Sequence, residues 1–421
     1  MCITLPGRVK EVKGLVAEIE YNGKSQLVKV GSTDDLAVDD WVLFTSDFLI
    51  KKIDQQEANE IFELLGGYGA RIPETVNEKL REVLLKNRGE GLEAKDLEFL
   101  LSLKNEDDLQ ALFAQANLTR KESIKDHVCI HGIIEFSNYC KNDCLYCGLR
   151  RSNQGVNRYR LSQEEIIKTA VKAVDDKGYK ILVLQSGEDD YYTKERIVEI
   201  IRSIKGQVRI FIYLSVGDRT FDDYRAFKEA GANGVLYRFE SSNSELYAKM
   251  RPEHQLSQRL DNLKMMRSLG YVISTGMIVG LPGQAVKDLA QDILLMKELG
   301  TFMPSFGPLV AASGTPLENS QAVDPKLILK VIAATRLAMP KARIPVTTAM
   351  ETLVGGDLAR KQCFSAGANA VMLNLTPSGH NKDYMIYDNK FFDTDKSYER
   401  WGLFKGEVSY EMLENELGFQ I

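Results

Sequence analysis

The sequence predicts an α/β chain in which a (β/α)8 barrel follows a small all-β barrel, and three observations carry that expectation. From Cys129 onward, eight short apolar runs alternate with amphipathic stretches over about 250 residues, the length that eight β/α units need. Before residue 66 the pattern differs, with short β-type runs and a hairpin signal in place of helical periodicity. Polar and charged residues also recur at the C-terminal ends of the apolar runs, which is where such a barrel keeps its chemistry.

Taken in order, residues 1–66 form the small β-barrel unit. Val16–Tyr21 reads as a strand, Asn22-Gly23 as a tight hairpin turn, Ser25–Val30 as the return and Asp40–Phe44 as a further strand. A helical segment, Gln55–Leu65, closes the unit before Gly66-Gly67 breaks it. Residues 67–128 read as a helical connection or cap, with helices at Val76–Leu85, Ala94–Leu103 and Asp107–Ala116. The large barrel is expected over 129–392. Its strands are Cys129–Phe136, Ile181–Ser186, Ile210–Ser215, Gly234–Phe239, Val272–Val279, Phe302–Leu309, Ile344–Ala349 and Ala370–Leu375. Helical periodicity fills the intervals, as in Ile166, Ala170 and Val174, or Val286, Leu289, Ile293 and Met296. Residues 393–421 are left as a C-terminal tail.

Composition excludes several classes of function. The chain has 421 residues, 44% hydrophobic and 27% charged, with a net charge of −5 and no long run of like charge, so neither nucleic acid nor an anionic membrane is the expected partner. No apolar run approaches the roughly 18 residues of a membrane span, and Met1-Cys-Ile-Thr-Leu-Pro-Gly7 has no basic segment leading into a long apolar one. Six cysteines, half of them in one cluster, argue against a disulfide framework and for a reducing cytoplasm.

That cluster is Cys140, Cys144 and Cys147, in Phe136-Ser-Asn-Tyr-Cys-Lys-Asn-Asp-Cys-Leu-Tyr-Cys-Gly148. Thiolates at this density select iron–sulfur clusters or zinc. A structural zinc loop is the competing reading, but it wants a fourth ligand, and no further Cys lies within ten residues and no His within eight. Three cysteines holding a cubane leave one iron open to a small molecule. The spacing, with Tyr146 just before the last cysteine, resembles the signature of the radical S-adenosylmethionine (SAM) enzymes. The resemblance implies a TIM barrel of the radical SAM type, one [4Fe-4S] cluster on Cys140, Cys144 and Cys147, and SAM bound at the open iron.

Within that superfamily the barrel resembles a subgroup that includes biotin synthase, methylornithine synthase and the [FeFe]-hydrogenase maturase family HydE, and HydE most. The motifs are Glu135-Phe-Ser-Asn, Cys-Leu-Tyr-Cys-Gly-Leu-Arg-Arg151, Arg158-Tyr-Arg-Leu, Val183-Leu-Gln-Ser-Gly-Glu-Asp189, Ile278-Val-Gly-Leu-Pro-Gly-Gln284, Pro345-Val-Thr-Thr-Ala-Met350 and Asn374-Leu-Thr-Pro-Ser378. The resemblance implies that Tyr146 contacts the adenine, that Ser186 and Glu188 lie near the methionine end of SAM, and that Glu240 and Arg259 bind SAM. It further implies that Gln185, Arg238, Thr347, Thr348 and Tyr384 face a deeper substrate cavity. Each has a plainer alternative: Arg259 as a surface ion-pair partner, Glu188 as part of an acidic helix start, Tyr384 as packing. Cys129 and Cys363 read as core residues, which leaves nothing to hold the second barrel cluster of biotin synthase. His380 departs from the family pattern, where a Tyr is expected.

Met1-Cys-Ile-Thr-Leu-Pro-Gly-Arg-Val9, Val38-Asp-Asp-Trp-Val-Leu-Phe44 and Phe48-Leu-Ile-Lys-Lys-Ile-Asp-Gln-Gln-Glu-Ala58 resemble the HypC hydrogenase chaperones, which implies an OB-like small barrel and an iron-carrying role for Cys2. Thr45 and Asp47 depart from that family, which usually has His and Gly there, so a module that only docks a partner stands beside iron carriage. Together the resemblances imply a radical SAM maturase acting in assembly of the di-iron site of [FeFe]-hydrogenase. The implied substrate is a cysteine-bound iron carrying CO and cyanide, supplied by the maturase HydG and passed toward the scaffold HydF. Two alternatives stand beside it: a methylornithine synthase-like mutase, and an iron-carrier chaperone for which the barrel is only a platform.

Overall fold

The computed structural model describes residues 4–21, 24–31, 36–45, 47–64, 76–87 and 91–421. Cys2, the Asn22-Gly23 turn and Gly66-Gly67 lie outside the described residues. The chain divides into two compact units, Met1–Val76 and Asn77–Ile421.

In the first unit, strands Leu5–Lys13, Val16–Tyr21, Lys24–Lys29, Trp41–Phe44 and Leu49–Ile53 precede helix Gln55–Leu64. The third strand lies at one edge, followed across the sheet by the second, first, fourth and fifth, and all four ladders are antiparallel. Alternate residues Val9, Ala17, Ile19, Val28, Val42 and Phe44 form the core, as the period of a half-buried strand requires. Two strands went unassigned in the sequence. Leu5–Lys13 carries Pro6 and Gly7; a Cβ at Gly7 would sit 2.4 Å from Ile19 Cγ2, so glycine permits the close crossing. Leu49–Ile53 has three exposed residues at its centre and so lacks alternation. The expected closed OB-like barrel is corrected: among the described residues the outer strands meet only at the isolated bridge Lys29↔Phe48, and the sheet stays open.

The second unit opens with helices Glu78–Lys86, Ala94–Ser102 and Glu106–Ile124, the second and third packing on barrel helices Val286–Glu298 and Pro325–Ala338. Asn77 and Asn105 cap the first and third by accepting backbone N–H bonds. Lys330 Nζ reaches out of the barrel to the carbonyls of Leu101 (2.5 Å) and Leu103 (3.1 Å), satisfying the end of the middle helix.

The barrel strands, numbered one to eight, begin at His127–Ser137, Ile181–Ser186, Phe211–Ser215, Gly234–Leu236, Val272–Thr275, Met303–Pro304, Pro345–Val346 and Ala370–Asn374. They pair in parallel in the order six, five, four, three, two, one, eight, seven. Arg343 N–H donates to Phe302 O (2.9 Å) across the seam between seven and six, so the (β/α) barrel is nearly closed. Strand seven is shorter than expected because Thr347 already stands at the N-cap of helix Thr348–Val354. Strands five and six are each interrupted. Their outer halves, Ile278–Val279 and Gly307–Pro308, pair separately. The break falls at Gly276, where a Cβ would lie 2.0 Å from Ser305 O.

The expected C-terminal tail is corrected more sharply. Gly406–Glu407 adds a parallel strand beside His127 and Val128. Helix Tyr410–Leu417 follows, and Val408 and Leu413 join Cys129, Phe211, Tyr213 and Met303 in the barrel core. The segment plugs the end of the barrel where the strands begin. Cys129 and Cys363 are fully buried, and burial pushes the Cys129 thiol up to about 12. No helix of the described residues is long and apolar enough to cross a membrane.

Candidate active site

The open end of the barrel holds a cavity of about 290 Å³, and the loop after strand one forms one wall. Cys140, Cys144 and Cys147 all line it as free thiols. Backbone bonds seat the loop. Lys141 N–H donates to Glu188 O (3.0 Å), Leu145 N–H to Met250 O (3.0 Å) and Gly148 N–H to Ile386 O (2.9 Å), so strands two, four and eight each send a segment to it. Gly187 is required by close approach, since a Cβ there would lie 2.1 Å from Tyr139 O and 2.9 Å from Cys140 Cβ. The next N–H, that of Glu188, donates to Cys140 Sγ (3.4 Å).

Among the described residues no three His, Cys, Asp or Glu side chains converge on one metal-ion position. Cys140, Cys144 and Cys147 share one cavity wall, which suits a cluster held from one side. Burial raises all three thiols above their ordinary range, so ligation has to displace their protons.

The wall beside the thiols carries paired charges. Glu188 and Arg251 are both buried, with Oε1 and Nη2 3.6 Å apart. The other Glu188 oxygen has no hydrogen-bond partner among the described residues, and neither does Ser186 Oγ. Arg238 Nη2 lies 2.9 Å from Glu240 Oε2 and donates to Met277 O (2.7 Å). Glu240 adopts φ +66°, uncommon for a residue with a side chain. Its N–H bonds Gly276 O and its C=O accepts from Ile278, so the strand-five break holds that conformation in place. Arg259 is not a surface residue. It is 7% exposed, donates to Asp218 Oδ1 (2.9 Å) and Arg238 O (2.8 Å), and stacks 3.3 Å from the centre of the Tyr237 ring. Burial alone would raise the Asp218 carboxyl; Arg259, the Tyr237 hydroxyl and Arg251 outweigh it and hold the group below the usual carboxylate range.

Deeper in, Gln185, Arg238, Thr347, Thr348 and Tyr384 line the same cavity, as do Tyr146, Ser186, Glu188, Glu240 and Arg259. Thr348 Oγ1 bonds Tyr387 OH, while Thr347 Oγ1 is buried without a partner among the described residues. Behind Tyr384, the buried Lys390 ammonium pairs with Glu135, whose other oxygen accepts from Asn374 Nδ2 (2.9 Å). Burial raises Glu135 and lowers Lys390, and each partner opposes the shift of the other. His380 does not line the cavity; it stacks on Tyr159 with ring centres 4.7 Å apart. Thr45, in the first unit, turns the chain between two strands by accepting from Phe48 N–H. Sequence reasoning assigned no role to Arg251, Tyr387 or Lys390. Arg251 follows Met250, whose carbonyl already binds the cluster loop, but nothing in the sequence itself marks that proximity.

A thiol triad without a fourth protein ligand, at the open end of a nearly closed (β/α) barrel and beside buried ion pairs, defines an iron–sulfur enzyme of the radical SAM type. Residues 134–296 match the Radical SAM superfamily, 1–65 the HupF/HypC family and 305–403 the Biotin and Thiamin Synthesis associated domain. The [FeFe] hydrogenase maturase subunit HydE of Thermotoga maritima is 41% identical over 310 residues, 74% of this chain and 88% of that protein. The 3-methylornithine synthase of Methanosarcina acetivorans is 32% identical over 303 residues, 72% and 85% respectively. The crystal structure of a methylornithine synthase superposes with a TM-score of 0.71 at 27% identity, over 81% of this chain and 100% of that one. The chain belongs to the radical SAM superfamily, with an N-terminal HypC-like domain and a C-terminal domain that runs past residue 393. It is a radical SAM enzyme, and its cofactors are a [4Fe-4S] cluster and SAM.

Proposed function

We propose that this enzyme turns the 5′-deoxyadenosyl radical on a small amino-acid-type substrate whose carboxylate is received by Arg238. The observation that carries the reading is a pair of unused donors: Arg238 Nε and Thr347 Oγ1 are buried, line the cavity and have no hydrogen-bond partner among the described residues. A buried donor without a partner costs about 1–3 kcal/mol, which a bound acceptor would recover. A guanidinium edge and a hydroxyl lining one cavity suit a carboxylate.

The cluster, when bound by Cys140, Cys144 and Cys147, supplies the electron that splits SAM into methionine and the 5′-deoxyadenosyl radical. The chain's own residues then have separable tasks. Glu188, backed by Arg251, and Ser186 hold the methionine end of SAM; Tyr146 packs on the adenine. Glu240 pairs with the cationic part of SAM, and Arg259 acts through Arg238 and Asp218, which it holds in place. Gln185, Thr347, Thr348 and Tyr384 orient the substrate, and the enclosing wall excludes water that would admit side reactions.

Two substrates fit this scheme. A mutase of the methylornithine synthase type is favoured by full-length superposition on a solved synthase and by the 32% identical relative. A maturase of the HydE type, taking a cysteine-bound iron with CO and cyanide from HydG and passing its product toward HydF, is favoured by the 41% identical relative and the HypC-like domain. The intact thiol triad and cavity speak against the barrel as a mere platform for an iron carrier. Incubating the reduced enzyme and SAM with lysine, and separately with the cysteine–iron complex, distinguishes the two by which compound is consumed. Arg238→Met should raise KM for that compound at least about tenfold, as loss of a charged hydrogen bond predicts; an unchanged KM would remove Arg238 from the substrate site.

A further inference from the structure

The sequence motif Arg158-Tyr-Arg-Leu161 has no part in the chemistry above, yet the structure gives each of its residues a bond to the cluster region. Tyr159 N–H donates to Asn138 Oδ1 (2.7 Å) and its hydroxyl to Glu135 O (2.6 Å). Arg160 forks onto Asp189, which also accepts from Ser137 Oγ (2.6 Å), and Leu161 N–H donates to Phe136 O (2.8 Å). The strap runs along the end of strand one, where the cluster loop departs.

Arg158 differs from its neighbours. Its guanidinium bonds no carboxylate among the described residues and donates only to backbone carbonyls. Nη1 reaches Asn138 O (2.5 Å) and Leu149 O (2.9 Å); Nη2 reaches Arg150 O (2.8 Å) and Asn153 O (3.3 Å). Asn138 precedes Cys140 and Leu149 follows Cys147, so one side chain ties both ends of the cysteine loop. Burial lowers the Arg158 guanidinium, and Cys140 and Cys147, whose sulfurs would be anionic as cluster ligands, act on it in the opposite direction. A planar fork with several donors can bridge four carbonyls at once, which a lysine ammonium cannot do with the same geometry.

We propose that Arg158 is a positioning residue that clasps the cysteine loop into its cluster-receiving shape and leaves an unpaired positive charge beside the cluster. The proposal rests on the cluster being held by Cys140, Cys144 and Cys147. A cation there favours the reduced, more negative cluster and so raises its midpoint potential. The two parts separate by substitution. Arg158→Lys keeps the charge but not the fork; Arg158→Met keeps neither.

The test has two readouts besides turnover, made on full-length protein whose melting shows it is folded. In the cluster-free protein, amide exchange across residues 140–153 should quicken about tenfold or more in both variants, because the Lys141, Leu145, Gly148 and Arg151 amides are protected only while the loop holds its shape. In the reconstituted protein, the cluster midpoint measured by redox titration should fall in Arg158→Met and stay near that of the parent in Arg158→Lys. Exchange at the parental rate in both variants overturns the clasp. A midpoint unmoved in Arg158→Met overturns the charge. The exchange measurement is made without cluster or SAM, so its failure is distinct from failure of the proposed reaction.

Discussion

Single residues set how close the cluster loop can come to the rest of the barrel. Gly187 admits Tyr139 O to 2.1 Å of where a Cβ would stand, so Gly187→Ala must push the loop away or displace strand two. Its expected consequence is a lower iron content after reconstitution with the fold retained, checked by iron analysis beside a melting curve. Full iron occupancy would show that the loop tolerates the shift. The sequence made the three cysteines legible because their spacing is local. Arg251, Tyr387 and Lys390 were not legible, because Arg251 reaches the site from a distant stretch, and Tyr387 and Lys390 follow Tyr384 at no spacing that marks a function. For Arg259 the plainer alternative to SAM binding, a surface ion pair, fails: a stack on Tyr237 and an ion pair with Asp218 hold it buried against the cavity.

Among elements, helix Val286–Glu298 has a buried acid with a consequence for pH. Asp292 accepts from Ser242 N–H (2.5 Å) through one oxygen, and the other has no partner among the described residues. Burial, helped by Asp288, pushes its carboxyl from 3.8 up to about 7 against the opposing Ser242 bond. The folded state therefore keeps a proton that the unfolded chain gives up near its ordinary value, and stability from this group falls as pH rises from about 4 to about 7. Asp292→Asn lacks that loss. Its melting temperature relative to the parent should climb through this window and level off above it; a constant difference would place the ionisation elsewhere. The same helix packs on the strand-four loop that bears Glu240, so the experiment also reads how firmly that loop is held.

Residues 393–421 read as a tail because the strand Gly406–Glu407 has only two residues, and the apolar positions Trp401, Phe404, Val408, Met412, Leu413 and Leu417 set up no further β/α unit. Only the folded barrel shows that an end needed covering. Leu413 is 1% exposed in the barrel core, and Leu413→Ala should cost about 2–5 kcal/mol in denaturant unfolding, the range for a buried leucine. A cost near zero would make the segment an ornament rather than a plug. Strand seven is shorter than the sequence suggests for a related reason: Ile344 to Ala349 is apolar enough for a strand, but the chain turns into helix Thr348–Val354 at Thr347.

For the whole molecule, the barrel's alternation was legible from Cys129 onward because each β/α unit repeats a local pattern. The openness of the N-terminal sheet was not, since closure depends on register between strands far apart in sequence. The two units have separate cores. Deleting residues 1–76 is therefore expected to leave SAM cleavage intact while weakening transfer to a partner, measured as 5′-deoxyadenosine against product delivery. Loss of cleavage on deletion would mean that the first unit completes the site. The proposed chemistry turns on Cys140, Cys144 and Cys147 holding the cluster that cleaves SAM. Anaerobic reconstitution with iron and sulfide, reduction with dithionite and addition of SAM should yield 5′-deoxyadenosine from the parent and none from Cys144→Ala. Equal amounts from both, or none from the parent, would contradict it.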